Sequence, residues 1–272
     1  MNKHMEIPKV IAALHLPPLP GSAHPDRKTM LEIRDFALRN SEMALQAGIQ
    51  AIFLQDLGDH PVARPISPHI IAGVTAVGYY IHDQFPELQL GISLLGHGAK
   101  EPLAIAQAIG ARFVRLKVYV GAMLKAEGLL EGCAAEAIQI RHQIAAEDIA
   151  IFADVYDRTG EPLGRIPLVE EVRQAAVFGR ADGVVLTGKS FAETSQMIEE
   201  VANSDVKTPI LIGGGVNAGN VVQALRIADS VIVSSSFKKV AGFTRESMLM
   251  DWDLEKMKEF MQELQGNSFP KG

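Results

Sequence analysis

The chain has 272 residues and 47% hydrophobic side chains, so it can bury a sizeable core as one domain or as two smaller ones. Its net charge of −6, with no basic run interleaved with aromatic residues, argues against nucleic acid as a partner. Cys133 is the single cysteine and no segment reaches the roughly 20 apolar residues of a membrane span. We therefore expect a cytoplasmic protein without disulfide, metal site or membrane insertion.

Eight short apolar segments rich in β-branched residues alternate with helical patterns along the chain. They predict parallel strands at 10–15, 51–55, 88–95, 113–118, 149–155, 183–187, 209–213 and 230–235. Apolar residues at helical spacing between Asp251 and Leu264 predict a final helix. Because the Pro- and Gly-rich loops follow strands and mark no linker, the pattern indicates one (β/α)8 TIM-barrel domain spanning residues 1–272.

Alternation within the strands indicates which polar side chains point into the barrel. The outward face of a barrel strand packs under helices and is apolar, so Arg115, Lys117 and Asp154 should point inward. His15 and Thr187 end their strands on the same inward face. Since buried charges are costly unless they are paired or hydrated, we expect these groups at the open mouth, where barrel active sites lie.

Three of these side chains are candidates for catalysis. Asp154 can act as a general acid or base, with Lys117 as its partner within hydrogen-bonding distance or through one water, and Arg115 as a second cation. A structural Lys117–Asp154 ion pair is the alternative interpretation, and a Schiff base on Lys117 is disfavoured because Asp154 would raise the lysine pKa. His15 suits proton transfer near neutral pH, although a lone histidine at a strand end is also typical of a hydrogen-bonded wall residue.

Two turns after the last predicted strands have the composition of a phosphate-binding site. Three glycines follow the seventh strand and three serines follow the eighth, so backbone N–H groups and hydroxyls can meet one anion. Loops after strands 7 and 8 of a TIM barrel frequently bind phosphate. We therefore predict a phosphorylated small molecule as ligand, although a tight turn and a helix cap would give the same residues. The ligand-binding residues predicted in these turns are Gly213, Gly214, Gly215, Ser234, Ser235 and Ser236, and Arg115 on the fourth strand is predicted to bind the ligand as well.

The segment GVVLTGKS at 183–190 matches the GxxxxGK[ST] pattern of a nucleotide-binding loop. In such a loop the strand comes before the first glycine, whereas here VVLT is itself the predicted strand. Nucleotide hydrolysis is therefore not expected. Thr187 and Gly188 are instead predicted to contact the ligand from the loop after the sixth strand.

Several longer segments resemble one known family. They are VIAALHLPPLPGS, GDHPV, FVRLKVYVGAML, VLTGKS, LIGGGVNAGNV and ADSVIVSSSFKK. Over nearly its whole length the chain resembles the BtpA/SgcQ family, which implies a TIM barrel of the phosphate-binding kind. Members of the family are named for photosystem I biogenesis or for sugar-utilisation operons. The chain departs from the family pattern at strand ends, with QDLGD at 55–59 in place of ENFGD, Lys117 in place of Asn, and ADVYDRTG from Ala153 in place of ADVxVKH.

Two hypotheses of function follow. The first is an isomerase, lyase or transferase of sugar-phosphate-type carbohydrate metabolism, which uses Asp154 with His15 or Lys117 and needs no cofactor. A barrel that binds flavin mononucleotide is a variant of this hypothesis. The second is a non-catalytic assembly or regulatory factor that keeps the barrel. The sequence carries no photosynthetic or membrane signal, which favours the enzyme, and self-association is left open.

Overall fold

The structure, a computed structural model, describes residues 6–62, 64–240, 244, 247, 250–267 and 269. The strands within these ranges are β1 (Val10–His15), β2 (Ala51–Gln55), β3 (Gln89–Ile92), β4 (Phe113–Leu116), β5 (Ala122–Lys125), β6 (Gly128–Glu131), β7 (Ala150–Val155), β8 (Glu161–Pro162), β9 (Gly183–Leu186), β10 (Ile210–Ile212) and β11 (Ser230–Val233). Eight of them are parallel and form a closed barrel in the order β1, β11, β10, β9, β7, β4, β3, β2. This confirms the predicted TIM-barrel fold.

Helices connect the barrel strands and cover the outside of the barrel. They are α1 (Met30–Gln46), α2 (Pro68–Gln84), α3 (Lys100–Ala108), α4 (Ala134–Gln143), α5 (Leu168–Arg173), α6 (Phe191–Ala202), α7 (Val221–Ile227) and α8 (Leu254–Gln262). Side-chain caps fix several helix starts: Thr29 and Glu32 form a capping box at α1, and Ser190 and Asp253 cap α6 and α8. None of the helices in the described ranges has both the length and the apolar character required to cross a membrane.

Apolar side chains fill the barrel interior below the mouth. Phe113 and Phe152 pack with their ring centroids 5.3 Å apart. A Cβ on Gly91 would lie 2.1 Å from the Phe113 ring, so glycine is required on β3 to make room for it. The interior cluster is Ile11, Ala13, Ala51, Phe53, Phe113, Ala150, Phe152, Val185, Leu211 and Ile232. Its members follow the predicted alternation, so the polar side chains on the same faces lie at the strand ends above this cluster.

A three-stranded sheet at the mouth was not predicted from the sequence. The hairpin β5–β6 follows β4, and β5 also pairs with β8 from the loop after β7. We call residues 118–131 and 156–162 the lid. The chain enters it through Val118 and Tyr156, whose φ angles of 48° and 53° lie in the left-handed region that bulky residues rarely adopt. Strand β4 accordingly ends at Leu116, two residues before the predicted end at 118.

Candidate functional site

Arg115 and Asp154 form an ion pair inside the barrel mouth. The Arg115 Nη2 donates to Asp154 Oδ1 at 2.9 Å and its Nε donates to Oδ2 at 3.1 Å. Both side chains are largely buried, and the guanidinium lies 6.0 Å from the centroid of the Phe53 ring. Burial raises the pKa of Asp154, and the Arg115 charge opposes this rise. Asp154 therefore fixes the orientation of the Arg115 cation within the mouth.

The direct hydrogen bond predicted between Lys117 and Asp154 as one of two alternatives is wrong. Lys117 lies beyond the end of β4, and its Nζ donates to Glu127 Oε1 of the lid at 2.7 Å. Asp154 pairs with Arg115 instead. The physical reason is that the β5–β6 hairpin folds back and brings a carboxylate to Lys117, while Arg115 lies one pleat deeper, beside β7. Glu127 was not predicted as a mouth residue because nothing in its local sequence pattern marks it as one.

His15 ends β1 and is buried at the mouth. Its Nδ1 lies 3.4 Å from the hydroxyl of Ser234 at the end of β11. Burial lowers the pKa of His15 to about 3, and the positive charges of Lys238 and Arg115 contribute to the decrease. The imidazole is therefore neutral at physiological pH and can offer an N–H donor or a lone pair, but no positive charge.

The glycine turn after β10 is surrounded by polar groups. The Gly213 N–H donates to Leu186 O at 3.0 Å, so it continues the sheet and is already used. A Cβ on Gly213 would lie 2.0 Å from Thr187 Oγ1 and 3.3 Å from Arg115 Nη2. The Thr187 hydroxyl is buried and has no hydrogen-bond partner among the described residues. Gly215 has a φ of +80°, where glycine is favoured.

The serine turn after β11 is joined to the glycine turn. The Ser236 hydroxyl donates to Val216 O at 2.6 Å, which connects the two predicted phosphate turns directly. Ser235 and Ser236 belong to a short 3-10 helix over Ser235–Phe237. The Gly188 N–H donates to Thr194 Oγ1 at 2.9 Å and closes the start of α6, so this donor is already used. The structure thus places the two turns and Thr187 side by side, while the Gly188 N–H is used within the protein.

Asp56 is a buried carboxylate just after β2 that was not predicted as a site residue, since the sequence marks it only within the QDLGD departure. Its Oδ1 accepts the Leu95 N–H at 2.7 Å, and it lines a cavity of about 200 Å³ with Ser22, Asp59 and His69. Burial raises the pKa of Asp56 to about 6, and the negative charge of Asp59 adds to the rise. The described residues contain no group of three or more His, Cys, Asp or Glu side chains arranged to hold a metal ion.

Asp56 should make stability depend on pH. Its pKa is about 6 in the fold against 3.8 in the unfolded chain, so the fold holds the proton more tightly. This group should therefore lower the unfolding free energy by about 2 kcal/mol as pH rises from 4 to 7. Asp56→Asn keeps an acceptor for the Leu95 N–H and should remove this decline. Urea unfolding of both proteins at several pH values measures it, and equal slopes in both proteins would refute the assignment.

The comparisons with known proteins agree with the sequence resemblance. The model of the BtpA family matches residues 6–266. The Photosystem I biogenesis protein BtpA of Synechocystis sp. is 31% identical over 236 residues, which cover 85% of this chain and 80% of the relative. A phosphoribosylanthranilate isomerase structure from Thermotoga maritima has a TM-score of 0.53 at 13% identity, and the match covers 96% of this chain and 100% of that one.

A second solved structure shares the same barrel. The crystal structure of KGPDC from Streptococcus mutans has a TM-score of 0.54 at 9% identity, and the match covers 95% of this chain and 97% of that one. At such low identities the two structural matches show the fold. The family model and the Synechocystis relative establish the family as well as the fold, because they match most of the chain in sequence. The chain belongs to the BtpA family.

Proposed function

We propose that the protein binds a phosphorylated small molecule at the barrel mouth and acts on it as an enzyme of sugar-phosphate-type metabolism. The observation that carries the proposal is the Gly213–Gly215 turn with its neighbours. A buried hydroxyl without a described partner, on Thr187, and a cation oriented by a carboxylate, Arg115, both adjoin the side-chain-free face of Gly213. Buried donors of this kind are normally satisfied, so a ligand oxygen is the partner we assign to them.

The anion would sit between the two connected turns. Gly214 and Gly215 bring backbone close to the ligand without a side chain, and Ser235 and Ser236 follow the next strand at the same edge of the barrel. Ser234 lies deeper, beside His15. The Thermotoga maritima neighbour is named as an isomerase of a phosphoribosyl compound, which supports a sugar phosphate as the first class of ligand to test.

Proton transfer is assigned to groups that face the same mouth. Burial raises the pKa of Asp154 above its ordinary value, and a carboxyl perturbed in this way is a candidate for proton exchange. His15 is neutral and can polarise or accept from a substrate oxygen. Lys117 is held by Glu127 at the rim of the mouth. We propose Asp154 as the acid or base, with His15 or Lys117 as the second group.

Calorimetric titration tests the binding half of the proposal. Ribose 5-phosphate and inorganic phosphate should bind the protein, whereas ribose should bind far more weakly, because the phosphate supplies most of the interaction. Equal affinity for ribose and ribose 5-phosphate would contradict a phosphate site.

The absorption spectrum of the purified protein tests the flavin variant of the proposal. We expect a colourless protein, since the proposal requires no flavin. A flavin spectrum would favour the flavin mononucleotide variant.

Deuterium exchange tests the catalytic half. With a panel of sugar phosphates in D2O, proton NMR should show that the protein exchanges a carbon-bound proton next to a carbonyl in at least one bound compound. Asp154→Asn should abolish this exchange. Absence of exchange and turnover for every compound that binds would contradict an enzyme of this type.

The second candidate is a non-catalytic assembly or regulatory factor. The name of the Synechocystis relative, a photosystem I biogenesis protein, favours it. So does the occupation of both Asp154 oxygens by Arg115, which suits a structural pair. Binding of sugar phosphates without any chemistry in the exchange experiment would support this candidate over the enzyme.

A further inference from the structure

The lid carries an arginine to the glycine turn. Arg158 lies in the loop between β7 and β8, and β7 is two barrel strands away from β10 in the ring. Its Nη2 is 3.7 Å from the position that a Cβ on Gly214 would occupy. The side chain is exposed, and among the described residues it forms no ion pair. A cation therefore stands beside Gly214 without a described protein anion to neutralise it.

Within the lid, the residues that flank Arg158 are fixed to strand β5. The side chain of Lys125 on β5 hydrogen-bonds both Asp157 and Thr159, and it is only 4% exposed. Because Lys125 neutralises Asp157, that carboxylate does not compete for the Arg158 charge. A Cβ on Gly160 would lie 2.8 Å from Leu124 O, so the loop packs closely against β5. The backbone on both sides of Arg158 is thus held against β5.

The opposite side of the lid also reaches the mouth. Glu127, at the turn of the β5–β6 hairpin, accepts from Lys117 just beyond the end of β4. The lid therefore meets the rim at Lys117 and reaches the glycine turn through Arg158. An anion bound at Gly214 would connect Arg158 of the lid to the glycine turn.

We propose that Arg158 is a phosphate-binding residue supplied by the lid, and that an occupied phosphate site holds the lid over the mouth. The inference rests on the proposed function, since it places its ligand at the same glycine turn. A guanidinium donates two parallel hydrogen bonds to a phosphate, so Arg158 gives preference to phosphate esters over ligands without that dianion. Arg115 contacts the phosphate from within the barrel, and Arg158 contacts it from the lid.

Titration of an Arg158→Gln variant tests the assignment, with inorganic phosphate and ribose 5-phosphate as probes. Arg158→Gln should bind both at least tenfold more weakly than the wild type, because it loses a charged hydrogen-bond donor. The matched control is Arg165→Gln, which removes the same charge a few residues further along the chain. Arg165 is exposed and lies 5.1 Å from the centroid of the Tyr156 ring. The affinity of Arg165→Gln for both probes should stay within about twofold of the wild-type affinity.

The outcomes separate the two proposals. If the wild type binds ribose 5-phosphate and Arg158→Gln binds it less than tenfold more weakly, the role of Arg158 is overturned while the phosphate site stands. An equal loss in the Arg165→Gln control would also overturn that role, since it would reflect net charge alone. If the wild type binds neither probe, the proposed function fails and the inference about Arg158 fails with it.

Hydrogen exchange provides a readout of the lid itself. Saturating ribose 5-phosphate should slow amide exchange of residues 122–131 in the wild type, because the bound phosphate fixes Arg158 and the sheet attached to it. At saturating ligand the Arg158→Gln variant should show no such protection. Equal protection in both proteins would show that the lid closes without Arg158 and would overturn the coupling.

Discussion

Asp154→Ala should lower the free energy of unfolding by about 3 to 5 kcal/mol. The substitution leaves the guanidinium of Arg115 in the barrel mouth without its carboxylate, and that side chain is 18% exposed in the wild type. An uncompensated charge at this depth, beside the Phe53 ring, loses its hydration without gaining a partner. Urea unfolding followed by circular dichroism measures the change. A loss below about 1 kcal/mol would show that the pair is not buried as described.

A double variant separates the cost of an unpaired charge from the loss of packing. Arg115→Met combined with Asp154→Leu replaces the pair by apolar side chains of similar volume. It should recover most of the stability that Asp154→Ala loses, because replacing a whole buried pair is often neutral. The same double variant should bind sugar phosphates poorly, since it lacks the oriented cation beside Gly213. Recovered stability together with unchanged phosphate affinity would remove Arg115 from the site.

Gly214→Asp should reduce the affinity for ribose 5-phosphate by at least about tenfold, because a single charged contact accounts for about 1.5 to 3 kcal/mol. The new carboxylate would stand where the phosphate binds, and it would repel the anion. The protein should still fold. A Cβ at Gly214 meets no atom closer than Arg158 Nη2 at 3.7 Å, and the carboxylate can pair with that guanidinium.

Two controls accompany Gly214→Asp. Asn217→Asp adds the same charge in the same loop and keeps the acceptor that Asn217 Oδ1 offers to the Gly219 N–H, so its affinity should change little. Phe152→Ala sets the stability scale, at about 3 to 5 kcal/mol for a large side chain removed from the core. Gly214→Asp should cost clearly less than this. Folded Gly214→Asp protein with unchanged phosphate affinity would contradict the proposed site.

The sequence was sufficient to predict the barrel because each strand carries its own signal. The predicted bounds of β1 and β2 agree with the structure, and alternation correctly assigned Arg115, Asp154 and Thr187 to the mouth. The predicted end of a strand was wrong where the chain leaves the barrel for the lid. At Val118 the backbone turns into the left-handed region, so the apolar alternation of the sequence continues after the strand has ended.

The pairing of charges could not be predicted in the same way. Glu127 and Arg158 lie in loops whose sequences carry no periodic signal, and their positions depend on β5 pairing with both β6 and β8. That pairing brings the Glu127 carboxylate within hydrogen-bonding distance of Lys117. Asp154 then forms its ion pair with Arg115. The hydrogen bond that occupies the Gly188 N–H likewise depends on how α6 meets the loop after β9. These contacts are tertiary, and a local pattern does not encode them.

A crystal structure of the protein grown with ribose 5-phosphate tests the phosphate site most directly. We predict phosphate density at the joined turns, with phosphate oxygens roughly 2.7 to 3.2 Å from the N–H groups of Gly214 and Gly215 and of Ser235 or Ser236. The Thr187 hydroxyl should then have a ligand oxygen as its partner. Phosphate bound elsewhere, for example in the cavity beside Asp56, with the two turns empty, would contradict the proposed site.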